Sequence, residues 1–349
     1  MKRSTSAARC ALLALGAPLL SAVGVAAQTA TLSVQLLGNI SGGVSSYVAG
    51  INEAGEAAGN AGAGTAVCPE FGCAVIWHDL TPTVLAVEAT SGSEASAINN
   101  AGQVVGNAYA TTGVTTAVVW NNGTPTPLPG PTPQYTNTLA TAISDAGQVV
   151  GEAYPPADTG QEAVEWNGLT PTVLDTEPGC TGGSYATAIN SHGTVVGINF
   201  CPANPKGEAT VWHGTTPTLL GAGKANAVND AGLIVGVGLY GATAWVNGVV
   251  RHLATGSVAT AVNNRGIIVG KVPGKRFSYH AALWSSVSAA PQDLNTLIGA
   301  AAGEFVLTEA TGINDSCTIA VNGFLIKDTI HTVAFLLKPI DPSSCVTGL

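Results

Sequence analysis

Charge is what this sequence has least of. Only 9% of its 349 residues are Asp, Glu, Lys or Arg, and 21 acids against 12 bases leave a net charge of −9. A chain so poor in cations is a poor candidate for nucleic acid or an anionic membrane, because phosphate binding needs clustered Lys and Arg. There is a single Met, and Glu, Lys, Arg and Gln are scarce, so long helices lack their usual formers. After the first 27 residues no run is long and apolar enough to span a bilayer, which takes roughly 20 residues. Catalytic signatures are also missing: no Gly-x-Ser-x-Gly elbow, His-Glu-x-x-His, Gly-Lys-Ser/Thr phosphate loop or Asp-x-Asp-x-Asp calcium run occurs. No cofactor and no metal site is expected.

What is present begins with an export signal. Lys2, Arg3 and Arg9 precede an apolar run from Ala11 to Val25, and Val25-Ala26-Ala27 offers small residues for cleavage before Gln28. Residues 1–27 read as a secretory leader and 28–349 as one domain, secreted or periplasmic. Without the leader nine bases face 21 acids, a charge of −12. Six cysteines remain: Cys68, Cys73, Cys180, Cys201, Cys317 and Cys345. An even number in an exported chain reads as disulfides. Six allow 15 pairings, and proximity favours Cys68–Cys73, Cys180–Cys201 and Cys317–Cys345.

Val, Thr, Gly, Ala and Pro dominate, an all-β composition punctuated by turn residues. One pattern, apolar-Asn-x-x-Gly-x-apolar-apolar-Gly, begins at Ile51, Ile98, Ile143, Ile189, Val228, Val262 and Ile313, at spacings of 47, 45, 46, 39, 34 and 51 residues. Each copy is followed by Ala-x-x-Trp or a relative, and then in several repeats by Thr-Pro-Thr before an apolar pair. All six Trp fall in the first slot: Trp77, Trp120, Trp166, Trp212, Trp245 and Trp284. Strand a ends at the apolar-Asn pair, Asn-x-x-Gly turns, b carries Val-Val-Gly, c carries Trp, and d follows. A four-stranded meander repeated radially is a propeller blade. The chain starts with an orphan d-like strand, Ser33 to Gly38, and the last copy has no evident d. The expected fold is therefore an all-β, seven-bladed β-propeller of four-stranded antiparallel blades, its last blade completed by the N-terminal strand. An open solenoid is the rival.

These residues resemble the HAF-repeat family of extracellular bacterial proteins, whose pattern places Ile-Asn-x-x-Gly-x-Val-Val-Gly before His-Ala-Phe-x-Trp. The resemblance covers residues 33 to about 340 and is specific in the first element. The family's His directly before Ala survives only at His280. The resemblance implies export and a β-repeat fold, and it brings no catalytic residues.

Invariant positions read as structure, since a binding site should differ between blades. The repeated Asn52, Asn99, Asn190, Asn229, Asn263 and Asn314, with Ser144 in the third copy, satisfy their own turns. The Trp are inter-blade packing. Cys317 replaces a turn Gly, and a bond to Cys345 would tie down the tail. Charge is the clearest irregularity. From Ile51 to Glu208 there are 14 acids and one base, whereas Arg251 to Arg276 holds five bases and no acid. The candidate ligand-binding residues are Arg265, Lys271, Lys275, Arg276, Tyr279 and His280, a patch for an anion or acidic glycan; the alternative is a solvated face. Glu165, standing where other repeats carry Ile, Val, Ala or Leu, either pairs with a neighbour or faces the channel. The chain reads as an exported monomeric binding or scaffold module for a glycan or protein. The alternative is a polysaccharide-acting enzyme, which blade-specific acids, bases and Tyr at one channel end would favour.

Overall fold

The computed structural model of the chain describes residues 31–343 and 345, apart from 63–67, 69–71, 88–89, 157–159 and 275–278. The expected leader lies outside these residues, as do Lys275 and Arg276. Every regular element described is a β-strand except two 3-10 turns, Leu294–Thr296 and Gly299–Gly303. No described helix is long and apolar enough to cross a membrane.

The strands form antiparallel meanders in chain order. In the first repeat Ser46–Ile51, Ala57–Ala61, Cys73–Trp77 and Pro82–Val84 are strands a to d. The described residues form five four-stranded sheets and one of seven strands. That larger sheet departs from the expected run of separate four-stranded units. Its strand Thr216–Val228 is d of repeat four over its first half and a of repeat five over its second. No unpaired residue separates the two: Ala222 still pairs with Glu208 and Gly223 already pairs with Gly238, so the strand runs on without a loop. At the other end of the chain the orphan strand Leu32–Leu36 pairs antiparallel with Asp328–Pro339, on the outside of the last sheet.

Packing between successive sheets makes the architecture β-propeller-like. All six Trp are at most 2% exposed. Trp120 packs on Ala58, Ala74, Ile76 and Leu85 of the preceding repeat, and Trp77 on Leu37, Ala320, Ala334 and Leu336 of the last sheet. Each ring removes on the order of 150–250 Å² from water. Most indole N–H groups also donate to a carbonyl of the preceding outer segment, in three cases two residues past the d-strand: Trp77 to Gly38 at 2.9 Å, Trp166 to Pro129 at 2.7 Å and Trp212 to Asp175 at 2.8 Å.

Three disulfides join Cys68 to Cys73, Cys180 to Cys201 and Cys317 to Cys345. They suit an oxidising compartment. Cys317 stands at the turn-Gly position with φ +58°, a backbone conformation that residues with a side chain adopt reluctantly, and its bond to Cys345 anchors it there.

Candidate functional site

The a-strands carry a feature that the Ile-Asn motif alone does not announce. Each is bulged two residues before its apolar-Asn end, at Ala49, Ser96, Thr141, Thr187, Asn226, Thr260 and Thr311. A bulge turns its side chain out of the ladder. Five of these side chains donate to a carbonyl of the next repeat, among them Thr141 to Ala186 at 2.9 Å, Asn226 to Ala259 at 2.8 Å and Thr311 to Val48 at 2.9 Å. The bulge also brings the carbonyl two residues upstream against the glycine of Val-Val-Gly. A Cβ on Gly151 would lie 1.9 Å from the Leu139 oxygen, and one on Gly106 1.9 Å from that of Glu94.

The turn Asn serve two purposes. Asn263 Oδ1 accepts from the N–H groups of Arg265 and Ile267, as a local turn requires. Its amide then crosses to the next repeat. Asn52 donates to the Asn99 carbonyl (3.1 Å), Asn99 to Ser144 (3.0 Å), Asn190 to Asn229 (3.0 Å), Asn229 to Asn263 (2.9 Å), Asn263 to Asn314 (3.0 Å) and Asn314 back to Asn52 (3.1 Å). Ser144 has no amide, so the step from repeat three to repeat four is missing. The following residues repeat the scheme: the backbone N–H of Glu53, Asn100, Ser191, Asp230, Asn264 and Asp315 each reaches the side chain at the same position in the next repeat. These two tiers line a polar cavity of about 230 Å³.

Beyond the bulges lies a larger cavity, about 520 Å³, lined by a-strand residues of all seven repeats. Here the residues differ from one repeat to the next. The position just before the Ala (Val48 in repeat one) that leads into each bulge is Tyr47, Glu94, Leu139, Tyr185, Lys224, Val258 and Glu309 in turn. All but Leu139 line the cavity. The residue after the glycine on strand b is Asn60, Asn107, Glu152 and Lys271 in repeats one, two, three and six, and of these Asn60 lines the cavity. Glu94 accepts from the Asn107 amide at 2.9 Å and is hydrogen-bonded to the Tyr109 hydroxyl, which burial and this contact push up. Glu152 accepts from the Tyr154 hydroxyl at 3.3 Å; burial raises its carboxyl, against the pull of Lys224. Lys224 stands 5.2 Å over the Tyr185 ring, and burial lowers its ammonium. Tyr47 is pushed up to about 12 by burial and by the charges of Glu309 and Glu94.

The basic patch read from sequence is divided by this geometry. Lys271 lies 2.8 Å from Glu309 and 5.1 Å from the Tyr279 ring centre, so these two residues come together beside the cavity. His280 Nδ1 is 2.6 Å from Asp293. Arg265 is exposed in the Asn263 turn, among the two tiers, where its charge acts on Glu53. Glu165 takes the pairing alternative, accepting from the Gln148 amide at 2.8 Å. Sequence reasoning passed over Tyr47, Glu94, Glu152, Tyr185, Lys224 and Glu309. Their signal was present: they are the varying position next to an invariant motif.

No family model matches the chain, and no curated protein does. Solved structures with similar chain traces include TolB from Acinetobacter baumannii, 9% identical, TM-score 0.44, over 82% of this chain and 64% of that one. Another is Trypanosoma rangeli sialidase in complex with sialic acid, 10% identical, TM-score 0.47, over 91% of this chain. The chain matches 59% of the sialidase's length.

Proposed function

We propose that the chain is an exported, closed seven-bladed β-propeller of the HAF-repeat type that binds carbohydrate at the wider end of its channel. Closure is supported by the Asn314–Asn52 and Thr311–Val48 bonds and by the pairing of Leu32–Leu36 with the last sheet. The observation that carries the binding reading is the contrast between the two ends. One repeats a common scheme of inter-repeat bonds and spends its polar groups on its neighbours. The other presents Tyr faces, carboxylates, Lys and Asn that differ in each repeat around 520 Å³ of open space. Aromatic faces beside fixed donors and acceptors suit a sugar ring, which is apolar on its faces and polar at its rim.

Glu152 favours a second reading, hydrolysis of a glycan. A carboxyl raised by burial is suited to give a proton to a leaving oxygen, and Glu94 and Glu309 supply further carboxylates. One experiment separates the two. The secreted protein is screened on neutral and acidic glycans, and incubated glycans are checked by mass spectrometry. Binding without product, weakened at least tenfold by Y185A or E94Q, is the expected result. Product that E152Q abolishes establishes the second reading, and absence of binding to every glycan refutes both.

A further inference from the structure

The outer strand of repeat five, Val249–Thr255, is unlike its counterparts. In repeats one to four the residue paired with the invariant Trp is a proline: Pro82 with Trp77, Pro125 with Trp120, Pro171 with Trp166 and Pro217 with Trp212. Proline has no N–H, and it is tolerated on an edge strand where that group would point away from the ladder. It thereby blunts the free edge against another strand. In repeat five the residue paired with Trp245 is Val250. The outward donor is restored at the one position where four sister repeats lack it.

The rest of the strand agrees. It has seven residues, as many as the outer part of Thr216–Val228 that pairs with strand c of repeat four, against five for Leu32–Leu36 and three, four, four and two for Pro82–Val84, Thr124–Pro127, Thr170–Val173 and Gln292–Asp293. It ends the seven-stranded sheet and is paired on one side only. Successive residues of a strand face opposite ways, yet Val249 and Val250 are 52% and 56% exposed. At its far end Leu239 and Tyr240 are each 69% exposed, with Tyr240 edge-on to His252 at 6.4 Å. The strand carries Arg251 and opens the stretch that holds five bases and no acid.

We propose that Val249–Thr255 is a docking edge to which a partner protein adds an extended, apolar and acidic segment as a further strand. Main-chain bonds to an edge supply affinity, and the alternate side chains supply selectivity. Charge chooses this occupant over a second copy, because self-pairing would bring two segments that contain Arg251 and no acid together.

The test uses the full protein and a blocked heptapeptide alternating valine and glutamate, with the valine–lysine peptide as control. Saturable binding of the glutamate peptide, slower hydrogen exchange at the Val250 amide and at least tenfold weaker binding by V250P are expected. V250P installs what four repeats already carry at this position. R251E is the second variant and should reverse the preference between the two peptides. Three results overturn the proposal: equal binding by V250P, no binding by the wild type, or a wild-type dimer that V250P dissolves.

Discussion

The two tiers of inter-repeat bonds fail at the same step, between repeats three and four, where Ser144 and Ser191 stand in place of longer side chains. Ser144→Asn should complete the first tier by donating to the Asn190 carbonyl, as its six counterparts do to theirs. Ser191→Asn should complete the second by accepting from the Asp145 N–H, as Asn100 accepts from Glu53 at 2.9 Å. A net protein hydrogen bond contributes about 0.5–1.5 kcal/mol, and ordering a longer side chain offsets part of it. Each substitution should therefore stabilise by about 1 kcal/mol, and the pair by about 2 kcal/mol. At a urea slope of about 3 kcal/mol per M that is a midpoint shift of about 0.3 M per substitution. Hydrogen exchange adds a local readout, since S191N should slow the Asp145 amide and S144N alone should not. The reverse change, N263S, should cost about as much as S144N gains. Unchanged or lowered midpoints for both variants would refute the view that these tiers hold the repeats together.

Two further outcomes follow from the same geometry. Gly151→Ala puts a Cβ against the Leu139 carbonyl with no flexible atom to give way, and should destabilise by about 3 kcal/mol in thermal or urea unfolding; a neutral result would deny the close approach. Tyr47 ionises at about 12 when folded and near 10 when unfolded, so its contribution is fully present below pH 10 and is lost as pH rises toward 12. Tyr47→Phe should then flatten the alkaline loss of stability, and an unchanged pH profile would count against the placement of Tyr47 beside Glu94 and Glu309.

Most of the fold was legible because it rests on local chemistry written seven times. Asn-x-x-Gly fixes a turn, and a Trp at the same place in six repeats needs a neighbour to cover it. Cysteines close in sequence met as proximity favoured. The merged strand Thr216–Val228 had a trace in the motif spacing, which drops to 39 residues at that step. The candidate site was harder to read because it depends on register between repeats. Lys271 meets Glu309 only when a b-strand of one repeat lies beside an a-strand of the next, and no spacing along the chain reports that. The bulges hid in plain text. Ala-Thr-Ala recurs before Ile143-Ser144, Ile189-Asn190 and Val262-Asn263, but a bulge is a property of a paired strand, and a sequence shows one strand at a time. Charge counting fared worst: it grouped Arg265 with Lys271, although Arg265 belongs to the turn tiers and Lys271 to the neighbourhood of the larger cavity.

The pairing of Leu32–Leu36 with Asp328–Pro339 also sets a timetable. Ser33 donates to the carbonyl of Lys338, 305 residues away. Contacts of such separation slow folding, since a long loop closes before they form. Strand Leu32–Leu36 is made long before its partner. Through the whole interval it is an unpaired edge, the kind of segment that recruits wrong neighbours. Early repeats can assemble as they emerge, but the last sheet waits for Leu32–Leu36 to meet Asp328–Pro339. Completion of that sheet is thus gated by Phe335–Pro339, and a truncation before Phe335 should leave Leu32–Leu36 unpaired and open to aggregation.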